Sequence, residues 1–341
     1  MPSPSRAPTN PFALVSLVAL LMAVPAHSAA PAGASPPAAP ITLRFSLPPG
    51  DYTLTVETRY AAVTLNGLDV SPDPSPTGGM RQPETCAAVI HLAARPPAAD
   101  GTQTVRVTYK RLRRSMKRFE QDTDAPAARY DPNLPPYRDL VGIPFDVTCN
   151  ADGVPQRISG MAEWFDRQKS DASPLRASNL QIIRSQFGEK MLQGWLSWVH
   201  GALPRGPIRP GESWQSTLPI PIASLPKLES LRLKQTWTLK SIDRSSREPH
   251  AEITVAGDVS STFDKRTLTA ALGVDEDDTL QSAKVTAKTE GTLARDVATA
   301  QLRRVAYTTE TSTTLTSRGG NPVTIREPVA VTMTFAAGPP K

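Results

Sequence analysis

Three histidines lie beyond residue 30, and their positions decide little in favour of chemistry. His91, His200 and His250 are far apart along the chain and form no short metal-binding spacing. His91 and His250 fall on the polar phase of alternating segments. His200 ends a helical stretch, where a cation meets the helix dipole favourably. The acidic run Asp275, Glu276, Asp277 and Asp278 lacks the sixth-position glycine and distal glutamate of a calcium loop, and reads as a solvated hairpin loop. No G-x-S-x-G elbow, P-loop or dinucleotide glycine pattern is present. A Ser-His-Asp set or a carboxylate pair would have to assemble in space, with nothing in the sequence pointing to one. The expectation is a protein with no catalytic residue, no metal and no cofactor; a hydrolase without a recognisable motif stands third among the readings.

Cysteine chemistry is the exception. Cys86 shares its phase with Ala88, Ile90 and Leu92, and Cys149 shares its phase with Phe145 and Val147, so both thiols face inward. In an oxidising compartment the two are predicted to pair. A bridge closing a loop of roughly 60 residues would stabilise by about 4 kcal/mol in the chain-entropy model.

The compartment follows from the first residues. Arg6 supplies a positive region, Phe12 to Val24 an uncharged apolar run, and Ala26, Ser28, Ala29 and Ala30 the small residues of a cleavage site. The run stops at Pro25, short of the roughly 20 apolar residues of a membrane span. Residues 1–28 are therefore predicted to be a signal peptide, 29–40 a Pro/Ala-rich linker, and 41–341 a single β-rich domain. An exported protein, periplasmic or extracellular, with no transmembrane anchor after cleavage is expected. The 38 basic and 32 acidic residues give a formal +6, too modest for a nucleic-acid binder. The excess is concentrated in Arg106, Lys110, Arg111, Arg113, Arg114, Lys117 and Arg118, either a solvated strand end or a docking patch for an anionic partner.

The elements that would carry these residues are mostly strands. Apolar residues alternate at Ile41–Leu47, Tyr52–Val56, Val105–Tyr109 and Phe145–Cys149. They do so again at Leu231, Leu233, Trp237 and Leu239, at Ala251–Val255, and at Val323–Phe335. One-sided alternation implies antiparallel sheet with one face on a core. A helical period interrupts it: Leu180, Ile183, Phe187, Met191, Trp195, Trp198 and Val199 recur every three or four positions. The helical insertion is placed near 174–200, started by a capping box at Ser178 and Gln181 or by Ser173 before Pro174.

The stretch after the helix, LPRGPIRPGESWQSTLPIPI, resembles a segment of an uncharacterised family of exported bacterial β-rich proteins. Leu203 and Pro204, then Pro210, Gly211, Glu212, Ser213 and Trp214 carry the likeness, with LPPGDYTLTVE, the Asp139–Gly160 run and GTLARDVATAQL in the same order. The physics of Pro210–Trp214 is that of a turn entering a strand, with one large ring turned inward. The layout is similar to the periplasmic lipoprotein-carrier fold, an open half-barrel closed by helices. That likeness implies a mainly β fold, a curved antiparallel sheet packed on a helix. It also implies a non-catalytic envelope protein holding an apolar ligand or a lipidated segment between sheet and helix. Phe187, Met191 and Trp195 would line the site with Leu231, Leu233, Trp237 and Leu239. The rival reading is a structural or protein-interaction module whose core those same side chains fill.

Overall fold

Residues with alternating side chains pair here into one continuous antiparallel sheet. The computed structural model describes residues 39–43, 47–62, 64–66, 68–69, 83–116, 119–125, 136–170, 172–200, 203–220, 231–245, 247–272, 280–318 and 320–340. The predicted signal peptide and most of the linker lie outside them, as does the acidic run at 275–278. The strands are β1 (Gly50–Tyr60), β2 (Thr64–Leu65), β3 (Leu68–Asp69), β4 (Glu84–Ala94), β5 (Gln103–Met116), β6 (Phe119–Asp122) and β7 (Pro144–Cys149). They continue as β8 (Pro155–Ser159), β9 (Ser213–Ile220), β10 (Leu231–Asp243), β11 (His250–Asp264), β12 (Leu280–Asp296), β13 (Leu302–Ser317) and β14 (Val323–Ala337). Four helices are inserted: α1 (Met161–Ser170), α2 (Pro174–Phe187), α3 (Glu189–His200) and α4 (Lys265–Leu272).

The main path across the sheet runs β8-β7-β5-β4-β1-β14-β13-β12-β11-β10-β9, with the small strands β2, β3 and β6 attached to it. Neighbours along this path are antiparallel throughout. The fold class is thus the one expected, mainly β with a long bent helical segment. The two end strands do not pair with each other among the described residues. Helix α3 touches both of them, β8 and β9, and also β13 in the middle of the sheet. A sheet this wide can meet one helix at both ends only by curving round it, which gives an open half-barrel with helices in its concavity.

Sequence chemistry explains the helical insertion. Ser173 caps α2, its hydroxyl accepting from the Arg176 amide at 3.3 Å, and Pro174 occupies the first turn. Ser178, the alternative start, lies inside α2. The bend between α2 and α3 is at Gly188, whose missing side chain is required. A Cβ there would stand 2.3 Å from the Arg184 carbonyl oxygen. Helices α1 and α4 are short, ten and eight residues, and are additions to the elements expected from the sequence. Of the strand expected over Ile41–Leu47, residues 44–46 lie outside the described set; Ile41 makes a bridge with Ile208, and the Leu47 carbonyl accepts from Gln103 Nε2 at 2.8 Å. This segment links the β5 end of the sheet to the approach to β9.

Candidate functional site

The concave face divides into a packed part under the helices and a less covered part beyond them. Beneath α2 and α3, two aromatic groups fill the space. Phe187 meets Tyr109, Tyr137 and Trp195 edge-on, with centroids 5.6–6.3 Å apart. Trp198 stacks on Tyr307 at 4.2 Å and meets Trp237 at 5.3 Å, and Trp237 in turn stacks with Trp214. Of the expected lining, Phe187, Leu233 and Leu239 are 0% exposed, Trp237 1% and Trp195 3%. The wall of a space able to hold even one water keeps accessible surface. These side chains keep almost none, and Phe187, Trp195, Trp237 and Leu239 belong to the core that fills the space beneath the helices. Met191 is half-buried against the same core. Leu231 begins β10, and its side chain lies outside the described set.

Polar side chains fasten the helices to this face. Glu84 points inward from β4, accepts from Arg114 Nε at 2.8 Å, and is approached by Gln186 Nε2 of α2 at 3.3 Å. Tyr137 donates to Gln186 Oε1 at 2.6 Å, and Tyr109 donates to the Phe187 carbonyl at 2.7 Å. Burial pushes both phenols well above their ordinary pKa, so they stay protonated donors. At the other end Arg295, fully buried, donates to the carbonyls of Trp198 (2.9 Å), Val199 (3.0 Å) and Ala300 (2.8 Å). This cation satisfies the last carbonyls of α3, the role the sequence assigned to His200. Reading Glu84 and Arg295 by phase would have found them. Glu84 alternates with Cys86 and Ala88, and Arg295 with Leu293, so a charge at an inward position was already visible.

The Pro210–Trp214 turn ties β9 to β10. Glu212 accepts from the Arg209 amide at 2.8 Å, and Gly211 and Leu239 exchange backbone bonds with this turn. Ser213 Oγ lies 2.8 Å from Thr238 Oγ1. Trp214 is half-buried on the core.

The predicted disulfide is not formed: Cys86 and Cys149 are both buried and no bridge joins them. Both do face inward, but at opposite ends of the sheet. Through β5, Cys86 is level with Arg114 and Cys149 with Gln103. Ten or so residues at about 3.3 Å each separate those levels by roughly 30 Å, against at most about 7 Å between bridged Cα atoms. Burial pushes the Cys149 thiol up to about 12, which leaves it unreactive. Within the basic run, four of the seven residues are paired with carboxylates. Arg106 pairs with Asp146, Arg111 with Asp122 and Asp124, Arg113 with Glu120 and Arg114 with Glu84. Lys117 and Arg118 lie outside the described residues. His91 lies 2.9 Å from Asp51 and His250 3.3 Å from Glu252. Among the described residues no group of three His, Cys, Asp or Glu could hold a metal.

Beyond the helices, β11–β14 run on for several more residues, and among the described residues only α4 packs above them. Leu268 of α4 covers Ala283 and Val285. On the same inward face Val259, Phe263, Leu315, Val323, Ile325 and Val329 are only half-buried. Where this apolar trough meets the packed part, one cross-strand row is polar: Gln235, Gly257, Thr289 and Thr309 lie abreast on β10–β13.

A curved, open antiparallel sheet with helices across its concavity defines a β-sheet scaffold with an internal face. The chain belongs to DUF6263, a family of unknown function, whose model matches residues 100–300. That region contains the Asp139–Gly160 run and the Pro210–Trp214 turn. No curated protein matches the chain. Among solved structures it is similar to one titled "Lipid-protein interactions in lipovitellin", at 9% identity and a TM-score of 0.38. The likeness covers 87% of this chain and 26% of that one, so the chain spans about a quarter of its length. No helix among the described residues is long and apolar enough to cross a membrane.

Proposed function

We propose that this is a non-catalytic, exported binding protein that holds a single apolar molecule in the trough formed by the distal halves of β11–β14. The observation that supports it is the uneven cover of the concave face. The part beneath α2 and α3 is filled by buried side chains, whereas six apolar side chains beyond it remain partly exposed on an inward face. The expected ligand position moves accordingly, from between sheet and α3 to beside α4. The filled space under α3 favours a second reading, an interaction module with no ligand.

A neutral apolar fluorophore, N-phenylnaphthylamine, separates the two. It should bind at micromolar affinity, and Phe263→Ser should weaken binding about tenfold while costing under about 2 kcal/mol of stability. Trp195→Ala should cost roughly 3–5 kcal/mol, as a truncated core aromatic does, and leave the affinity of the folded protein unchanged. Absence of binding by probe and long-chain lipids alike would establish the module reading. Export is tested by mass spectrometry of envelope material: the mature chain should begin near Ala29 or Pro31, and an intact Met1 would refute it.

A further inference from the structure

We infer that Leu268 of α4 is an internal stand-in for the ligand, seated on the floor of the trough and displaced when an apolar molecule enters. The inference rests on the binding reading above and adds how that site is kept and opened. The register of the distal strands shapes the floor. Phe263, Ala283 and Leu315 lie abreast on β11, β12 and β13, and the next row is Ser261, Val285 and Thr313. Ala283 thus stands between two much larger side chains, and the apolar face dips there. Leu268 drops into the dip. It packs on Ala283 and Val285, and all three are 0% exposed.

The same side chain divides the trough. Val259 and Phe263 lie on its β11 side and Leu315 on its β13 side, packed against the Leu268 cluster yet only half-buried. Val323, Ile325 and Val329 continue the surface beyond Leu315 on β14. One seated leucine therefore keeps two strips of partly exposed apolar surface apart. A single apolar molecule that covers both strips, and reaches the buried floor between them, has to take the place of Leu268. The exchange is of like for like, since leucine and ligand remove the same kind of surface from water.

The attachment of α4 suits such an exchange. Asp264, the last residue of β11, is still paired with Ser282, and its carboxylate accepts from the Thr267 amide at 2.9 Å. The helix therefore starts at the strand end without a linker, and the pivot lies between Asp264 and Lys265. Of the side chains of α4 that are described, Leu268 is buried, Lys265 half-buried, and Arg266 and Thr267 exposed. Eight residues are too few for a helix to persist by itself in water. Docking of Leu268 helps to hold α4 in place, and a ligand that takes the seat removes that support. A ligand that competes with a closed state binds with an apparent affinity lowered by the fraction of molecules that are open.

The test is titration of N-phenylnaphthylamine into the unaltered protein and into Leu268→Ala. Emptying the seat should tighten binding about tenfold, because burial of one leucine shifts an equilibrium by on the order of 10- to 100-fold. Leu268→Met, of similar volume, refills the seat and should return the affinity to its original value. Adding Phe263→Ser to Leu268→Ala should reverse the gain, which ties it to the trough. A second measurement needs no variant: saturating probe should quicken tryptic cleavage after Arg266 several-fold, since cleavage follows the population of the released helix. Unchanged or weaker binding by Leu268→Ala, a gain that survives Phe263→Ser, or cleavage that the probe leaves unchanged or slows would overturn the role of Leu268. Binding to the unaltered protein would in each of those cases still support the trough as a site. Failure of the fluorophore to bind either the unaltered protein or Leu268→Ala would overturn both readings together.

Discussion

Replacing Arg295 by methionine should loosen α3 from the sheet. Arg295 keeps its charge inside the protein, where loss of hydration pulls its pKa from 12.5 down to about 10. That drop corresponds to roughly 3 kcal/mol of unfavourable burial of the charge. Three hydrogen bonds from a charged donor return about 1.5–3 kcal/mol each, or about 4.5–9 together. The balance favours the native contact by about 1–6 kcal/mol. Methionine fills similar volume without donors, so Arg295→Met should cost about 3 kcal/mol, near the middle of that range. The loss is large against the 5–15 kcal/mol typical of a domain. Urea unfolding should show a lower midpoint at unchanged slope, with a blue-shifted tryptophan signal from Trp198 moving red before global unfolding. Arg295→Lys, a single point donor, should recover only part of the loss. A cost below about 0.5 kcal/mol for Met, or full recovery by Lys, would refute the assignment of Arg295 as the cap of α3.

Three further outcomes are expected. Cys86 and Cys149 should resist alkylation in the native protein and both react on unfolding, with reductant leaving the melting temperature unchanged; a bridged peptide in non-reducing mapping would contradict the register. Gly188→Ala, which would drive a Cβ to 2.3 Å from the Arg184 oxygen, should cost about 1–3 kcal/mol, measured by urea unfolding, and wild-type stability would disprove the tight bend. Hydrogen bonds from Arg111 hold the Asp122 carboxyl below the ordinary carboxylate range. A folded pKa below the unfolded one gives stability that is complete above about pH 4 and lost as pH falls through the folded value. Arg111→Gln should flatten the acid limb of a stability–pH curve, and an unchanged limb would show that the pair contributes nothing.

Much of the architecture was legible because phase is local. Leu233, Trp237 and Leu239 are buried, while Arg232, Lys234 and Lys240 occupy the opposite phase of the same strand. The helical insertion announces itself through the spacing of Phe187, Trp195 and Trp198. What phase cannot carry is height along a strand or the identity of a strand's neighbour. Cys86 and Cys149 are correctly inward yet far apart, because their levels depend on the β4–β5 and β5–β7 registers. The packed state beneath α3 was equally invisible, since a filled core and a lined cavity use the same alternation. The trough was missed for a different reason. Val323, Ile325 and Val329 look like any inward strand residues until one knows that no helix among the described residues reaches over them.

The pairing of β1 with β14 has a consequence for how the chain comes together. Strands β1, β4, β5, β7 and β8 form one meander of near neighbours, and β9–β14 form another. Their main seam is Tyr52–Tyr60 against Val329–Ala337, whose partners stand nearly 300 residues apart, and β2 extends it along β14. Local pairing can build each meander quickly, but the seam must wait for a loop of that size to close, which makes it the slow, high-contact-order step. Until it closes, β1 and β14 are raw edges, each long and unpaired, of the kind that recruit other chains. A chain lacking β14 would keep two sound half-sheets and still be a hazard to its neighbours. Joining the ends near 39 and 340 and opening the chain in the 203–212 segment would turn the whole path into one sequential meander, with the seam formed early.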